Sequence, residues 1–327
     1  MACLTGLAAI LLTLCGLNVP ASAAQAPSAE EAAKIAAAVP DKPTVSPQKP
    51  RKLLVFSLAP GYTHSSIPYG KKALEIMASK TAAFEAIISD DISIFEPQNL
   101  NRFDAVFFNN TNNELFIPDD FQDLPAAEQA RIRSRDETLK KSLADFISSG
   151  KGLAVIHAGV ASFRQWPEYG NIIGARFDNH PWNEGSTVTL KLNDPNHPLA
   201  RAFKQPTFTV TDEIYQFASP YSRTSLRVLL SIDAAKTNTN IPGIHRTDSD
   251  FAISWVKNYG KGRVFYCALG HQHDIFSNPA VLQHLLDGIQ FATGDLTADA
   301  APSTSLPTAP RPGKPAPSPA PQKGDLP

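Results

Sequence analysis

In LKKSLADFISSGKGLAVIHAGV, residues 139–160, two periodicities meet at a glycine. Leu139, Leu143, Phe146 and Ile147 fall on one stripe of a helix predicted over 136–149, and Gly150 follows as its C-terminal cap. GLAVI then reads as a strand that is apolar at every position, the pattern of a strand covered on both faces. It runs into His157, Ala158 and Gly159, a tight turn. In many α/β enzymes such a turn carries a Ser or Cys nucleophile on a sharp bend. Here it carries an imidazole.

Outward from this unit the chain alternates short β-rich runs with longer helical ones. Strands are predicted at 53–58, 92–95 and 104–109, then at 186–192, 226–232 and 262–268. A helix over 67–80 places Ile67, Leu74, Met77 and Ala78 at helical spacing. The last helix, 279–293, opens with Asn278 as cap and Pro279 in first position and stops at Gly294. Strand, helix and strand in this order favour parallel crossovers, hence a doubly wound, mostly parallel α/β sheet with helices on both faces.

The ends read differently. Residues 7–17 (LAAILLTLCGL) are apolar and precede Ala21-Ser22-Ala23, so 1–23 reads as a signal peptide, although it lacks a basic n-region. Residues 24–50 read as a disordered linker and 297–327 as a Pro/Ala-rich disordered tail, because neither has the apolar content to offset the entropy of ordering. One folded domain is expected over 51–296. The mature chain has no membrane span, and its location is expected to be periplasmic or secreted. Outside the leader only Cys267 remains, so there is no disulfide framework. A net charge of −1 with no basic run gives no electrostatic support for a nucleic-acid partner. Oligomeric state is not readable.

In open α/β sheets, ligands collect beyond the carboxyl ends of the strands. His64, then Asn109, Asn110 and Thr111, then His157, then His271 and His273 all follow predicted strands, and a loop FDNHPW adds Asp178, His180 and Trp182. That rim gathers up to five of the eight histidines. His197, His245 and His284 are assigned to structure or solvent. Neutral imidazoles suit Zn, Fe, Ni or Cu, so a divalent metal such as zinc on His64, His157, His180 and His271 is one option, although the spacing matches no compact metal motif. TDEIYQF at 211–217 adds Asp212 or Glu213 as a general acid/base beside Tyr215. Tyr62, Trp166, Trp182 and Tyr215 offer aromatic faces for a sugar ring, a role that ordinary core aromatics mimic. No glycine-rich phosphate cradle is present.

VFSLAPGYTHSSIPYG, GKGLAVIHAG, WPEYGNIIGARFDNHPW, DEIYQF and GKGRVFYCALGHQHD, in that order, resemble the ThuA-like proteins, named for trehalose utilisation, over about residues 51–294. The resemblance implies a flavodoxin-like fold similar to class I glutamine amidotransferases. In that superfamily the elbow carries Cys, so His157 in its place disfavours amidotransferase activity. It also implies a small-molecule carbohydrate partner and pathways that pass through 3-keto-glycosides. The expected catalytic residues are His157, His64 and Glu213, and the expected substrate contacts are Asn110, Asp178, Trp182 and Tyr215. The leading reading is an exported protein of carbohydrate catabolism acting on a glycoside or 3-keto-sugar by histidine acid/base chemistry, with or without a metal. A non-catalytic sugar-binding module and a metal-dependent hydrolase of another substrate remain open. So does the role of His157: general base, metal ligand or sugar contact.

Overall fold

The computed structural model describes residues 25–302. The signal peptide expected over 1–23 and the tail beyond residue 302 lie outside the described residues. The elements in chain order are α1 (Ala29–Ala38), β1 (Lys52–Phe56), α2 (Ile67–Thr81), β2 (Glu85–Ile88), α3 (Pro97–Leu100), β3 (Ala105–Asn109), α4 (Ala126–Ser148), β4 (Gly152–Ile156) and α5 (Pro167–Ile173). There follow β5 (Arg176–Trp182), β6 (Thr187–Leu192), β7 (Thr207–Thr211), β8 (Ile214–Ala218), β9 (Arg227–Ile232), β10 (Ala252–Tyr259), β11 (Gly262–Cys267) and α6 (Pro279–Thr293).

Nine strands form one sheet in the order β2-β1-β3-β4-β11-β10-β9-β6-β7. The first five run parallel, in the doubly wound flavodoxin-like order, and the last four extend them by antiparallel pairing. β5 and β8 pair separately as an antiparallel ribbon. Two glycines show which faces the helices cover. A Cβ on Gly152 would meet the Ala292 carbonyl oxygen of α6 at 2.1 Å, and one on Gly262 the Ile147 carbonyl oxygen of α4 at 2.0 Å. Gly152 pairs in register with Arg263, the neighbour of Gly262, so the two glycines point to opposite faces and α6 and α4 press on opposite sides of the sheet. Double cover explains why every residue of β3 and β4 is buried.

The last helix forms as its sequence signals predict: the Asn278 side chain accepts hydrogen bonds from the Ala280 and Val281 N–H groups, Pro279 follows, and Gly294 ends it at φ +88°. Other expectations are corrected. ISIF, 92–95, is a single 3₁₀ turn rather than a strand, because Asp91 caps it by accepting from the Ser93 N–H at 2.9 Å; the strand is β2, seven residues earlier in register with β1. FDNHPW is not a loop but most of β5. α4 begins at Ala126, ten residues before the predicted start, because AAEQARIRSR has helix-forming side chains but no apolar stripe to reveal it.

The linker expected over 24–50 is structured from residue 29 onward. Ser28 and Glu31 form a capping box, with Ser28 Oγ accepting from the Glu31 N–H at 3.3 Å and the Glu31 carboxylate accepting from the Ser28 N–H at 2.8 Å. Ile35 and Ala38 are buried where α1 meets α2 and the turn at 273–277. Farther on, the Thr44 and Val45 N–H groups donate to Gln290 on α6. The composition of this segment is that of a linker, but a few apolar side chains at helical spacing find a surface supplied by residues far along the chain. Of the tail, 297–302 is described, and Ala300 is buried. No helix among the described residues is long and apolar enough to cross a membrane.

Candidate metal centre at the strand ends

The loops after β1, β4 and β11 carry His64, His157 and His271 to the carboxyl end of the parallel strands, where doubly wound sheets bind ligands. The β5–β8 ribbon brings Glu213, the residue just before β8. His157 sits at φ +43° and Asn110, after β3, at φ +56°. Such left-handed geometry costs a side-chain-bearing residue on the order of 1–3 kcal/mol and persists only when its surroundings hold it. Asn110 is part of what holds it: its amide N–H₂ donates to Ser66 Oγ and the Gly270 carbonyl, both at 3.0 Å, and its oxygen accepts from the Ala158 N–H at 3.3 Å. One buried side chain thus ties together the loops that carry His64, His157 and His271.

Asp212 does the same from the other side. Fully buried, it accepts from the Gly270 N–H at 2.7 Å and the Gln272 N–H at 2.8 Å, which fixes the loop bearing His271 between them. Burial pushes its pKa up, opposed by the nearby imidazole of His157 and by these N–H donors. It is a positioning residue, and the acid facing the centre is Glu213.

His64, His157, His271 and Glu213 are all buried, and one ligand atom from each lies within 4.8 Å of the other three. That is slightly wider than the roughly 4 Å span of donors bonded at about 2 Å to one zinc ion. His157 Nδ1 lies 2.8 Å from the Ala268 carbonyl, which can only accept, so the neutral ring carries its proton there and turns the Nε2 lone pair to the centre. This carbonyl-fixed tautomer is the usual support of a metal-ligating histidine. Nε2 accepts from the Tyr215 hydroxyl at 2.8 Å and stands 3.4 Å from Glu213 Oε2. Glu213 Oε1 lies 3.3 Å from His180 Nδ1 and 3.9 Å from His271 Nε2. His64 Nδ1 is buried with no hydrogen-bond partner. An orphaned buried nitrogen among imidazole and carboxylate donors fits a divalent cation, and this cluster could hold one.

The electrostatics agree. Burial first, then the neighbouring His157 and His271, pushes the His64 pKa down to about 3. Burial and His157 likewise lower His271. Burial opposes ionisation of Glu213, but contact with His157 and the positive charge that His157, His271 and His180 carry when protonated outweigh it and lower the pKa. At neutral pH His64 and His271 are therefore neutral beside a carboxylate, as ligation requires. Burial raises the Tyr215 pKa well above its ordinary value, so its phenol stays protonated. Burial also pushes Cys267 up to about 12, which makes it inert as a nucleophile.

Of the expected metal ligands, the structure gathers His64, His157 and His271 but puts Glu213 in the place of His180. His180 is exposed at the mouth, hydrogen-bonded to Asn183 at 3.1 Å and beside Glu213. Tyr215 is at the centre, stacked on His157 with ring centroids 4.4 Å apart. The structure places the other three expected substrate contacts around the centre rather than in it. Asn110 is fully buried and spends its amide on protein; Trp182 is buried against Phe251, its N–H donating to the Asn238 carbonyl; and Asp178 pairs with His245 at 2.9 Å. His273 leaves the rim to stack on Tyr69 at 3.9 Å. Tyr62, 64% exposed, stands edge-on to His64 at 4.7 Å and roofs the mouth. The sequence assigns no role to Ser66, although SSIP, a polar pair ahead of a proline at the second helical position, marks a helix start where such a side chain becomes available.

A flavodoxin-like α/β protein with imidazole and carboxylate donors at its strand ends, and histidine at the elbow, is the class this geometry defines. The ThuA family model, described as trehalose utilisation, matches residues 52–292, and the chain belongs to that family. No curated protein matches it. Among solved structures it is similar to a ThuA-like protein from Bacteroides uniformis, with 17% identity over 76% of this chain and 92% of that one and a TM-score of 0.56, a likeness of fold. A ThuA-like protein from Parabacteroides merdae aligns at 17% identity over 75% and 91% of the two chains, with a TM-score of 0.48.

Proposed function

We propose that this ThuA family member is an exported enzyme of carbohydrate catabolism that acts on a 3-keto-glycoside, with a divalent metal such as zinc held by His64, His157, His271 and Glu213. The observation that carries the reading is the buried, partnerless His64 Nδ1 within this four-donor cluster. Export is supported by the apolar segment 7–17 and Ala21-Ser22-Ala23. A bound cation would supply Lewis acidity that acidifies a C–H next to a ketone.

The remaining work falls to the chain's own side chains. His180 at the mouth takes the C2 proton of the keto-sugar, and the C–H electron pair moves toward the C3 oxygen. The Tyr215 O–H, kept protonated by burial, is released from His157 Nε2 when that lone pair is engaged, and it donates to this oxygen. When the carbonyl re-forms, the C1–O bond breaks and the aglycone leaves as its alcohol, taking up the proton held by His180. Asp212 and Asn110 hold the loops in place, and Tyr62 offers a ring face to the sugar.

The test is protein purified without chelator or nickel affinity resin. Elemental analysis is expected to find stoichiometric transition metal, and NMR in D₂O to show C2–H exchange and aglycone release from a 3-keto-disaccharide. Metal-free protein with neither exchange nor release, even after divalent metal is added, would sink the reading.

A further inference from the structure

Beside the centre lies a second concavity of about 220 Å³, lined by Ser162, Arg164, Trp166, Tyr169, Arg176 and Phe177 among others. It follows directly on the 3₁₀ turn His157–Ala161 and shares a wall with the centre: the Phe177 ring packs edge-on to Tyr215 at 4.8 Å, and Tyr215 stacks on His157. Two arginines line it from separate elements, Arg164 after the turn and Arg176 at the start of β5. Neither side chain makes a hydrogen bond or ion pair among the described residues, and no Asp or Glu lines the cavity. Arg164 lies over the Phe177 ring at 5.7 Å, and Arg176 rests against Gly170 of α5.

Arg164 is exposed and Arg176 half-buried, and the two line one acid-free hollow with an aromatic wall that offers them no counter-charge, in a chain whose overall charge is −1. The guanidinium fork matches carboxylate and phosphate oxygens in a bidentate way. The volume falls below the roughly 300–1,000 Å³ of pockets that enclose a whole ligand, so the hollow suits one group of a larger molecule.

We propose that this cavity is an anion subsite, and that the sugar processed next door is acidic, bearing a carboxylate or a phosphate that Arg164 and Arg176 grip while its ring reaches the His–Glu centre. The proposal rests on the reading of that centre as a sugar site. The subsite itself needs no metal, so it is tested on chelator-treated full-length protein.

Isothermal titration with D-glucose, D-glucuronate and D-glucose 6-phosphate is expected to show at least one acidic sugar binding about tenfold or more tightly than glucose, with the stronger of the two identifying carboxylate or phosphate. Arg164→Gln and Arg176→Gln should each reduce that preference and the double variant remove it, with glucose binding unchanged. Equal binding of all three probes to the wild type would overturn the subsite without any variant. Survival of the preference in a folded double variant would do the same. A metal-free centre with the preference intact would count against the proposed chemistry alone.

Discussion

The two ends of the parallel strands both gather buried ionisable groups, to opposite effect. At the amino ends, Arg51 meets Asp295 through Nη2 at 2.6 Å and Nε at 2.9 Å, Asp104 accepts from Lys49 and the Lys52 N–H, and Arg263 donates to the Gly150 and Ala292 carbonyls. Every charge there has an opposite charge or a carbonyl against it. At the carboxyl ends, three imidazoles crowd one carboxylate, one nitrogen has no partner, and the elbow backbone is in the left-handed region. Burial and charge are common to both ends, so neither marks function. What separates them is satisfaction: groups left unpaired in the interior are kept against stability, and a ligand is the usual reason.

Substitutions at each end should break this contrast if it is wrong. Glu213→Gln is expected to lower turnover of a 3-keto-disaccharide by roughly 10²–10⁴-fold and to reduce metal content, while the melting temperature holds or rises. Steady-state kinetics with elemental analysis and calorimetry measure both. Asp295→Ala should leave metal content alone yet cost about 3 kcal/mol in urea unfolding, because it removes the main partner of the Arg51 side chain and leaves it only the longer contact with Asp104. If Asp295→Ala emptied the centre, or Glu213→Gln unfolded the chain, the two ends would not be separate.

A buried acid between these extremes sharpens the comparison. Burial pushes Asp287 on α6 up to about 6 from 3.8, against hydrogen bonds from Thr44 and Gln283 that favour its charged form. A raised carboxyl pKa means that the folded state holds the proton more tightly, so its contribution is present below pH 3.8 and is lost as pH rises through 6. Asp287→Asn should therefore stabilise the protein by about 2–3 kcal/mol at pH 8 and by almost nothing at pH 3.5, read as the change in urea midpoint at the two pH values. The smallest effect belongs to the rim. Tyr62→Ala should change stability by less than about 0.5 kcal/mol, because the ring is exposed, yet raise KM several-fold.

Much of the centre was legible because the rule that places ligands beyond strand ends depends only on where strands stop. His64, His157 and His271 each follow an apolar run that ends abruptly. Glu213 was legible as an acid but not as their partner, since it comes from a ribbon outside the main sheet, and His180, two places before Trp182 on the same ribbon, looked equally eligible. Asn110 carried a polar amide at a strand end, the mark of a substrate contact; that both ends of the amide are spent on other loops depends on three segments up to 160 residues apart. Arg164 and Arg176 showed no periodicity at all. α1 was missed for the opposite reason: its few apolar residues are too weak a local signal, and the surface that orders them belongs to α2 and the turn at 273–277.

By itself the sequence determined four of the five parallel strands, the helices with strong stripes and caps, and the imidazole at the elbow. These rest on interactions between near neighbours, namely periodicity, capping and the demand that a doubly covered strand be apolar. Only the tertiary structure decided which donors meet, which polar groups are already satisfied and which are left over. Those are properties of distances between segments remote in the chain, and a one-dimensional pattern carries no measure of them.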